Sequence, residues 1–261
     1  MAGSMKEAIK ERYGRLAGRL DDSCRSGCAP RCGCAADYSP EDLLAVPEHL
    51  VSTSLGCGNP LIMADLKPGD TVLDLGSGAG LDVLLAARRV APDGWVYGLD
   101  MTEGMLALAR RNQVAAGITN AEFLHGDLER IPLPAGSVDV VISNCVINLA
   151  TDKPRALTEA HRVLKPGGRV SISDTVWLSE VPEWIRQNTG LWAACIAGAM
   201  CRDEYTSLLG RTGFSDIDVT VTRIFDITGA DQASGPEDIR AKLAPLANSL
   251  ASALIRARKP V

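Results

Sequence analysis

The chain is poor in aromatic residues, with three Phe, four Trp and four Tyr making up 4% of it. A stacking surface for nucleic-acid bases is therefore not expected. It also lacks an excess of positive charge. A formal net charge of −5 argues against nucleic acid as a partner, because phosphate contacts require a basic footprint. No stretch approaches the roughly 18 consecutive apolar residues that a membrane span needs. The opening MAGSMKEAIKERYGRLAGRL is charged and has no apolar signal-peptide core. Internal repeats and low-complexity tracts are missing too. Histidine occurs at only three positions, His49, His125 and His161, and no spacing among them suggests paired ligands. What remains is a cytoplasmic globular chain, expected to be monomeric, with neither a membrane nor a nucleic acid as partner.

Cysteine, by contrast, is plentiful: eight in 261 residues. In a reducing compartment these are thiols, whose usual roles are ligation or catalysis rather than cross-linking. Cys24, Cys28, Cys32 and Cys34 crowd one irregular segment, CRSGCAPRCGC, whose C-x3-C-x3-C-x-C spacing lacks the paired C-x-x-C knuckles of a zinc site. Cys57 lies between two glycines in LGCGNP, Cys145 follows VDVVISN, and Cys195 and Cys201 fall in or beside the apolar stretch LWAACIAGAM. A lone cysteine on an apolar helix is ordinarily an inert core residue, and Cys201 is read that way. Trp184 and Trp192 are expected to pack in the same stretch, where they would roof a site formed by its cysteine.

Periodicity divides the chain into three parts. Residues 1–60 carry an amphipathic helix (Met5, Ile9, Tyr13, Leu16, Leu20) and the cysteine-rich loop. Residues 61–178 alternate apolar strands with helices: TVLDLG, a helix from Leu81, WVYGLD, a helix over Glu103–Ala116, AEFLHGD, VDVVISN, a helix over Pro154–Leu164 stopped by KPGG, and RVSISDTV. That alternation implies an open, mostly parallel α/β sheet. Residues 179–261 are weaker in pattern. Glu183–Met200 reads as an apolar helix, Glu204–Thr212 as another, DIDVTVTRI as a strand, ITGADQASGPED as a loop and the tail from about Ala251 as a last strand.

The segment VLDLGSGAG ends the first of these strands in D-x-G-x-G-x-G: Asp74, Gly76, Gly78, Gly80. Its glycines let the backbone turn sharply and approach a ligand at the carboxyl edge where open α/β sheets bind. The dinucleotide fingerprint would require a third glycine where Leu81 stands. A cofactor without pyrophosphate, S-adenosylmethionine, is thus favoured over a nicotinamide, with Asp74 helping to hold the loop and its cationic ligand. Asp100 closes the second strand, where it can accept from both ribose hydroxyls. Asp127 closes the third and can accept from the adenine amino group.

Thr71–Val176, with LKPGGRV before its fifth strand, resembles the Rossmann-like class I methyltransferases. That resemblance implies a seven-stranded sheet flanked by helices and a cofactor lined by Gly76, Ser77, Gly78, Asp100, Met101, Asp127 and Leu128, with Asn144 near its methionine end. SLGCGNP, VLDLGSGAG, GLDMT, ISNCVINL, RVLKPGGRVSISD and CIAGA together look like the arsenite methyltransferases, over about Tyr38–Phe214. The family binds trivalent arsenic with three or four cysteines. Position by position, Cys57, Cys145 and Cys195 match its motifs, and Cys34 or Cys32 stands nearest to its N-terminal cysteine. A small C-terminal α+β part would complete the substrate site.

The chemistry agrees with the resemblance, because soft thiolates select soft ions. Three thiolates leave the arsenic lone pair free to attack a sulfonium methyl, and no base is needed. Two can hold a methylated or organic arsenical. A fourth thiol could reduce the pentavalent product, with thioredoxin or glutathione restoring it. Such an enzyme would serve arsenic detoxification or organoarsenical biosynthesis. Two other readings stay open at this point: a methyltransferase of a small organic acceptor such as a quinone, which does not need the cysteines, and a non-catalytic thiol metalloid-binding protein, which does not need the strand-end acids.

Overall fold

The computed structural model describes residues 2–26, 37–52, 56–188, 192, 195–225 and 244–261, without the side chains of residues 2–4, 19–26, 48, 52 and 244. Cys28, Cys32 and Cys34, the side chain of Cys24 and the loop ITGADQASGPED lie outside the described residues.

Five strands build the parallel part of the sheet: β1 (Thr71–Leu75), β2 (Trp95–Asp100), β3 (Ala121–His125), β4 (Val138–Asn144) and β5 (Leu164–Trp177). A two-residue β6 (Met200–Cys201) pairs in parallel with the end of β5, and β7 (Ser215–Phe225) and β8 (Leu250–Arg258) are antiparallel. The order is β3-β2-β1-β4-β5-β8-β7, with β6 off this path. The expected mostly parallel sheet is present, its seven-strand path extended by β6 as an eighth strand, and the tail does form its strand. β1 is flanked by β2 on one side and β4 on the other, so the winding reverses there and opens a crevice at the carboxyl ends of both.

The central strands are buried on both faces, as a parallel sheet covered by helices requires. Val72, Leu73, Leu75, Val140, Val141 and Ile142 are fully enclosed. The helices are α1 (Ala2–Ser26), α2 (Pro40–Leu44), α3 (Glu48–Ser52), α4 (Leu81–Val90), α5 (Glu103–Ala115), α6 (Lys153–Val163), α7 (Glu183–Arg186) and α8 (Arg202–Arg211). Local chemistry sets their ends. Asp152 caps α6 by accepting from the Arg155 amide at 2.9 Å, a contact worth about 1 kcal/mol. Ser39 caps α2 before Pro40, and Pro47 separates α2 from α3 where one continuous helix would otherwise run. One apolar cluster packs α4 and α5 on one face of the sheet, and a second packs α6 and α8 on the other.

Three expectations need correction. Glu183–Met200 is not one helix throughout: among the described residues α7 covers Glu183–Arg186, Trp192 is again helical, Ala197 and Gly198 lie in a turn, and Met200 enters β6. Apolar composition there signals burial against Trp177 and Leu250, not helical period. LKPGG is likewise not a break before a strand, because β5 already starts at Leu164 and runs through it. β3 ends at His125, so Asp127 stands in the turn beyond it, in an isolated bridge with Arg130.

Candidate active site

A cavity opens at the carboxyl ends of β1, β2 and β4. Its wall includes Asp74, Gly76, Ser77, Gly78, Asp100, Met101, Asp127, Leu128, Asn144 and Cys145. The glycine loop takes its shape from left-handed turns, with φ of 71° at Gly76 and 50° at Gly78. A Cβ on Gly76 would collide with Val146, whereas one on Gly78 would meet open space. Asp100 holds the loop from the next strand: Oδ2 accepts from the Gly78 amide at 3.0 Å and Oδ1 from the Thr102 amide at 2.8 Å. The buried Ser77 hydroxyl has no partner among the described residues. A polar ligand of adenosine and amino-acid character fits this set: acids at both ends, a donor without a mate and backbone exposed by glycine.

The N-terminal helix forms the roof. Lys6, Ile9 and Tyr13 of α1 line the cavity, and Ala17 packs against Met105 and Leu108 of α5. Lys6 pairs with Asp127 and, at 3.2 Å, with Glu129. The residue expected to face adenine is thus already engaged by a lysine that no motif marks out.

Three cysteines meet beside this cavity. The Sγ atoms of Cys57 and Cys145 and a carboxylate oxygen of Asp174 lie within 4.8 Å of one another. The Cys195 thiol donates to the Cys145 carbonyl at 3.3 Å. Cys145 and Cys195 both adopt positive φ, 61° and 59°, a conformation uncommon for residues with a side chain. Surrounding bonds impose it. The Cys145 amide donates to the Ser173 carbonyl at 2.7 Å, and Thr175 Oγ1 donates to the Cys195 carbonyl at 2.8 Å. Cys57 is held from two sides, its amide donating to Asn144 Oδ1 at 3.0 Å and its carbonyl accepting from Ser252 Oγ at 2.6 Å. Three segments remote in sequence, 56–59, 144–145 and 195–196, converge here. Cys201 is elsewhere, its thiol donating to the Ser179 carbonyl at 3.3 Å.

Comparison with known proteins decides the family. A model described as a methyltransferase domain matches residues 66–213. The arsenite methyltransferase of Halobacterium salinarum is 37% identical over 98% of this chain and 66% of its own length. That of Aquipseudomonas alcaligenes is 35% identical over 90% of this chain and 69% of its own. Among solved structures, an arsenic(III) S-adenosylmethionine methyltransferase from Chlamydomonas reinhardtii has a TM-score of 0.67 at 33% identity, covering 89% of this chain and 75% of that one. The chain belongs to the arsenite methyltransferase family. Its sheet is the class I methyltransferase fold. It spans about two thirds of the length of the relatives named here.

The electrostatics of this family member are dominated by buried acids. Burial, then the nearby Asp82 and Asp100, raises Asp74 well above the usual carboxylate range. Burial pushes Asp82 up to about 6, against hydrogen bonds from Tyr38 (2.7 Å) and Asn144 (3.1 Å). Burial raises Asp174 to about 7, against the Thr175 amide, the charge of Lys153, the Asn148 amide and the Cys145 thiol. The thiols are held neutral as well. For Cys195, contact with Cys145 and then burial push the pKa well up. For Cys145, contact with Cys195 lowers it, but contact with Cys57 and burial together outweigh that. Burial, followed by the Cys195 and Cys145 thiols, also raises Tyr13.

The sequence offered no sign of several of these groups. Asp82, Tyr38, Asp174 and Tyr13 sit in segments whose pattern speaks only of helix or strand. An aspartate in the buried first turn of α4, behind a glycine loop, is the one weak signal. The histidines have structural partners: His49 with Asn112 Oδ1 at 3.0 Å, His125 with the Met101 carbonyl at 3.2 Å and His161 edge-on to Phe214. Trp184 and Trp192 pack around Trp177, with the Lys153 ammonium 4.5 Å from the Trp192 ring centre.

Proposed function

We propose that this chain transfers a methyl group from S-adenosylmethionine to trivalent arsenic held by Cys57, Cys145 and Cys195. The observation that carries the reading is the convergence of these thiols from three separate segments beside the glycine-loop cavity, with Cys145 in the cavity wall. Family membership supports it. Arsenite and three thiols condense to a tris-thiolate with loss of three waters, so neutral thiols are the proper starting state and no base is required.

Asp100 and Asp127 would take the ribose and adenine, Gly76, Ser77, Gly78, Met101 and Leu128 would wall them, and Asp74 would face the cationic amino-acid end. When bound, the cofactor supplies an electrophilic methyl on a sulfonium. The chain itself contributes alignment and exclusion of water, with α1 as the roof. Asn144 would act at the junction of the two sites. A thiol from the N-terminal cluster, Cys34 or Cys32, would reduce the pentavalent product by forming a disulfide, which thioredoxin or glutathione would reopen. A reducing cytoplasm suits that cycle, and a monomer suffices for it. No helix among the described residues is long and apolar enough to cross a membrane.

The test is methyl transfer from labelled S-adenosylmethionine to arsenite in the presence of a thiol reductant, for wild type and Cys57→Ser, Cys145→Ser and Cys195→Ser. Loss of activity on arsenite in each variant is expected. Full activity of Cys145→Ser would refute the thiolate site, and preferred turnover of an aromatic acceptor would point to an organic substrate instead.

A further inference from the structure

Asp174 is the least expected group in the structure. It is fully buried on β5, and the Lys153 ammonium is near enough to act on its charge. Its oxygens accept from Asn148 Nδ2 at 2.7 Å, the Thr175 amide at 3.0 Å, the Asn148 amide at 3.2 Å and the Tyr205 hydroxyl at 3.4 Å. Those neutral donors orient the carboxylate, and burial makes its charge costly except where a cation offsets it. One of its oxygens is within 4.8 Å of both the Cys57 and Cys145 sulfurs. Cys145 lines the cavity; Asp174 does not, and so stands behind the thiols as seen from the cofactor side.

Methyl transfer to arsenic moves a charge. The arsenic lone pair becomes the new As–C bond. The C–S bond of the sulfonium breaks, and its electron pair stays on sulfur as a neutral thioether. No proton moves, and the unit of positive charge passes from sulfur to arsenic. A carboxylate beside the arsenic ligands, ionised, favours the charge at its destination.

We infer that Asp174 is the electrostatic partner of the arsenic as it turns cationic, a carboxylate that in its ionised form stabilises the transition state more than the bound substrate. The inference rests on the reading of Cys57, Cys145 and Cys195 as the arsenic site. Preorganised groups of this kind, aimed where charge develops, change rates by about 10²–10³-fold when one is removed.

The experiment compares wild type with Asp174→Asn and Asp174→Glu in three measurements: single-turnover methyl transfer, arsenite affinity without cofactor, and thermal melting. For Asp174→Asn the expected result is a methyl-transfer rate lower by about 100-fold, arsenite affinity within about threefold of wild type, and a lower melting temperature, because the amide nitrogen would face donors from which a carboxylate oxygen accepts. Asp174→Glu, which keeps the charge, should recover part of the rate. A merely structural aspartate would instead weaken arsenite binding in step with activity, and Asp174→Glu would not recover the rate. That pattern, a wild-type rate in Asp174→Asn, or equal slowing in both variants overturns the inference while leaving the arsenic site in place. A wild-type chain inactive on arsenite overturns both.

Discussion

The Cys57 amide donates to Asn144 Oδ1 at 3.0 Å, which ties the loop carrying one thiol to the residue preceding another. Asn144 uses its other end equally fully: Nδ2 donates to the Gly58 carbonyl at 2.8 Å, to Asp82 Oδ2 at 3.1 Å and to the Tyr38 hydroxyl at 3.3 Å. A Cβ on Gly56 would collide with the same amide. The resemblance to class I methyltransferases assigned Asn144 to the cofactor; the geometry adds a hold on the spacing of Cys57 and Cys145. Asn144→Ala is expected to weaken arsenite binding by roughly tenfold, the loss of buried hydrogen bonds worth about 1–2 kcal/mol, and to weaken cofactor binding less. Titration calorimetry with each ligand separates the two. A larger loss for the cofactor would return Asn144 to the cofactor side alone.

Thr175 does for Cys195 what Asn144 does for Cys57. Its hydroxyl donates to the Cys195 carbonyl at 2.8 Å and accepts from Asn148 Nδ2 at 2.9 Å. Thr175→Val keeps the shape and removes both bonds, so that a buried carbonyl and amide lose a partner. The expected costs are about 1–3 kcal/mol of stability, read by chemical denaturation, and weaker arsenite binding. Unchanged binding with reduced stability would mean that the left-handed turn at Cys195 holds without its anchor.

The roof helix makes a kinetic prediction. Lys6 pairs with Asp127 and Glu129, but all three side chains are partly exposed, between 21% and 34%, and such pairs contribute only about 0–1 kcal/mol. Lys6→Ala should therefore barely alter melting. It should instead loosen α1 over the cavity and raise the dissociation rate of S-adenosylmethionine a few-fold in stopped-flow measurements. An unchanged rate would show that Ile9, Tyr13 and Ala17 hold the roof without the ion pair.

Stability should respond to pH in an unusual direction. Asp82 and Asp174 titrate near 6 and 7 in the folded chain because burial opposes their charge, and near about 4 when unfolded. The folded state therefore holds protons that the unfolded state has released. Stability from these groups is complete below about pH 4 and is lost as pH rises towards 7. Glu159, kept low by Arg162, acts oppositely, but only below the ordinary carboxylate range. The ligand-free chain should accordingly melt higher at pH 5.5 than at pH 7.5, and Asp174→Asn should flatten the difference. A fall in melting temperature between those values would mean that the buried acids are ionised throughout.

How the sequence and the tertiary structure share the explanation can be seen at particular residues. Alternating apolar strands and helices established the parallel core, because two-sided burial leaves a continuous apolar signature in each strand. The loop from Asp74 to Gly80 was legible because tight turns demand glycine, and Asp100 because it terminates a strand. The resemblance picked out Cys57, Cys145 and Cys195 from short motifs around each. Their proximity was not legible: no local pattern encodes a distance between residues 57, 145 and 195, and only the return of 195–201 along the overhanging end of β5 closes it. The stretch Glu183–Met200 misled because apolar composition reports burial without saying which backbone achieves it. Asp174 and Asp82 were silent for a related reason. An aspartate in a sequence looks the same whether solvent or protein surrounds it, and its environment, which sets its charge, is made entirely by segments packed in from elsewhere in the chain.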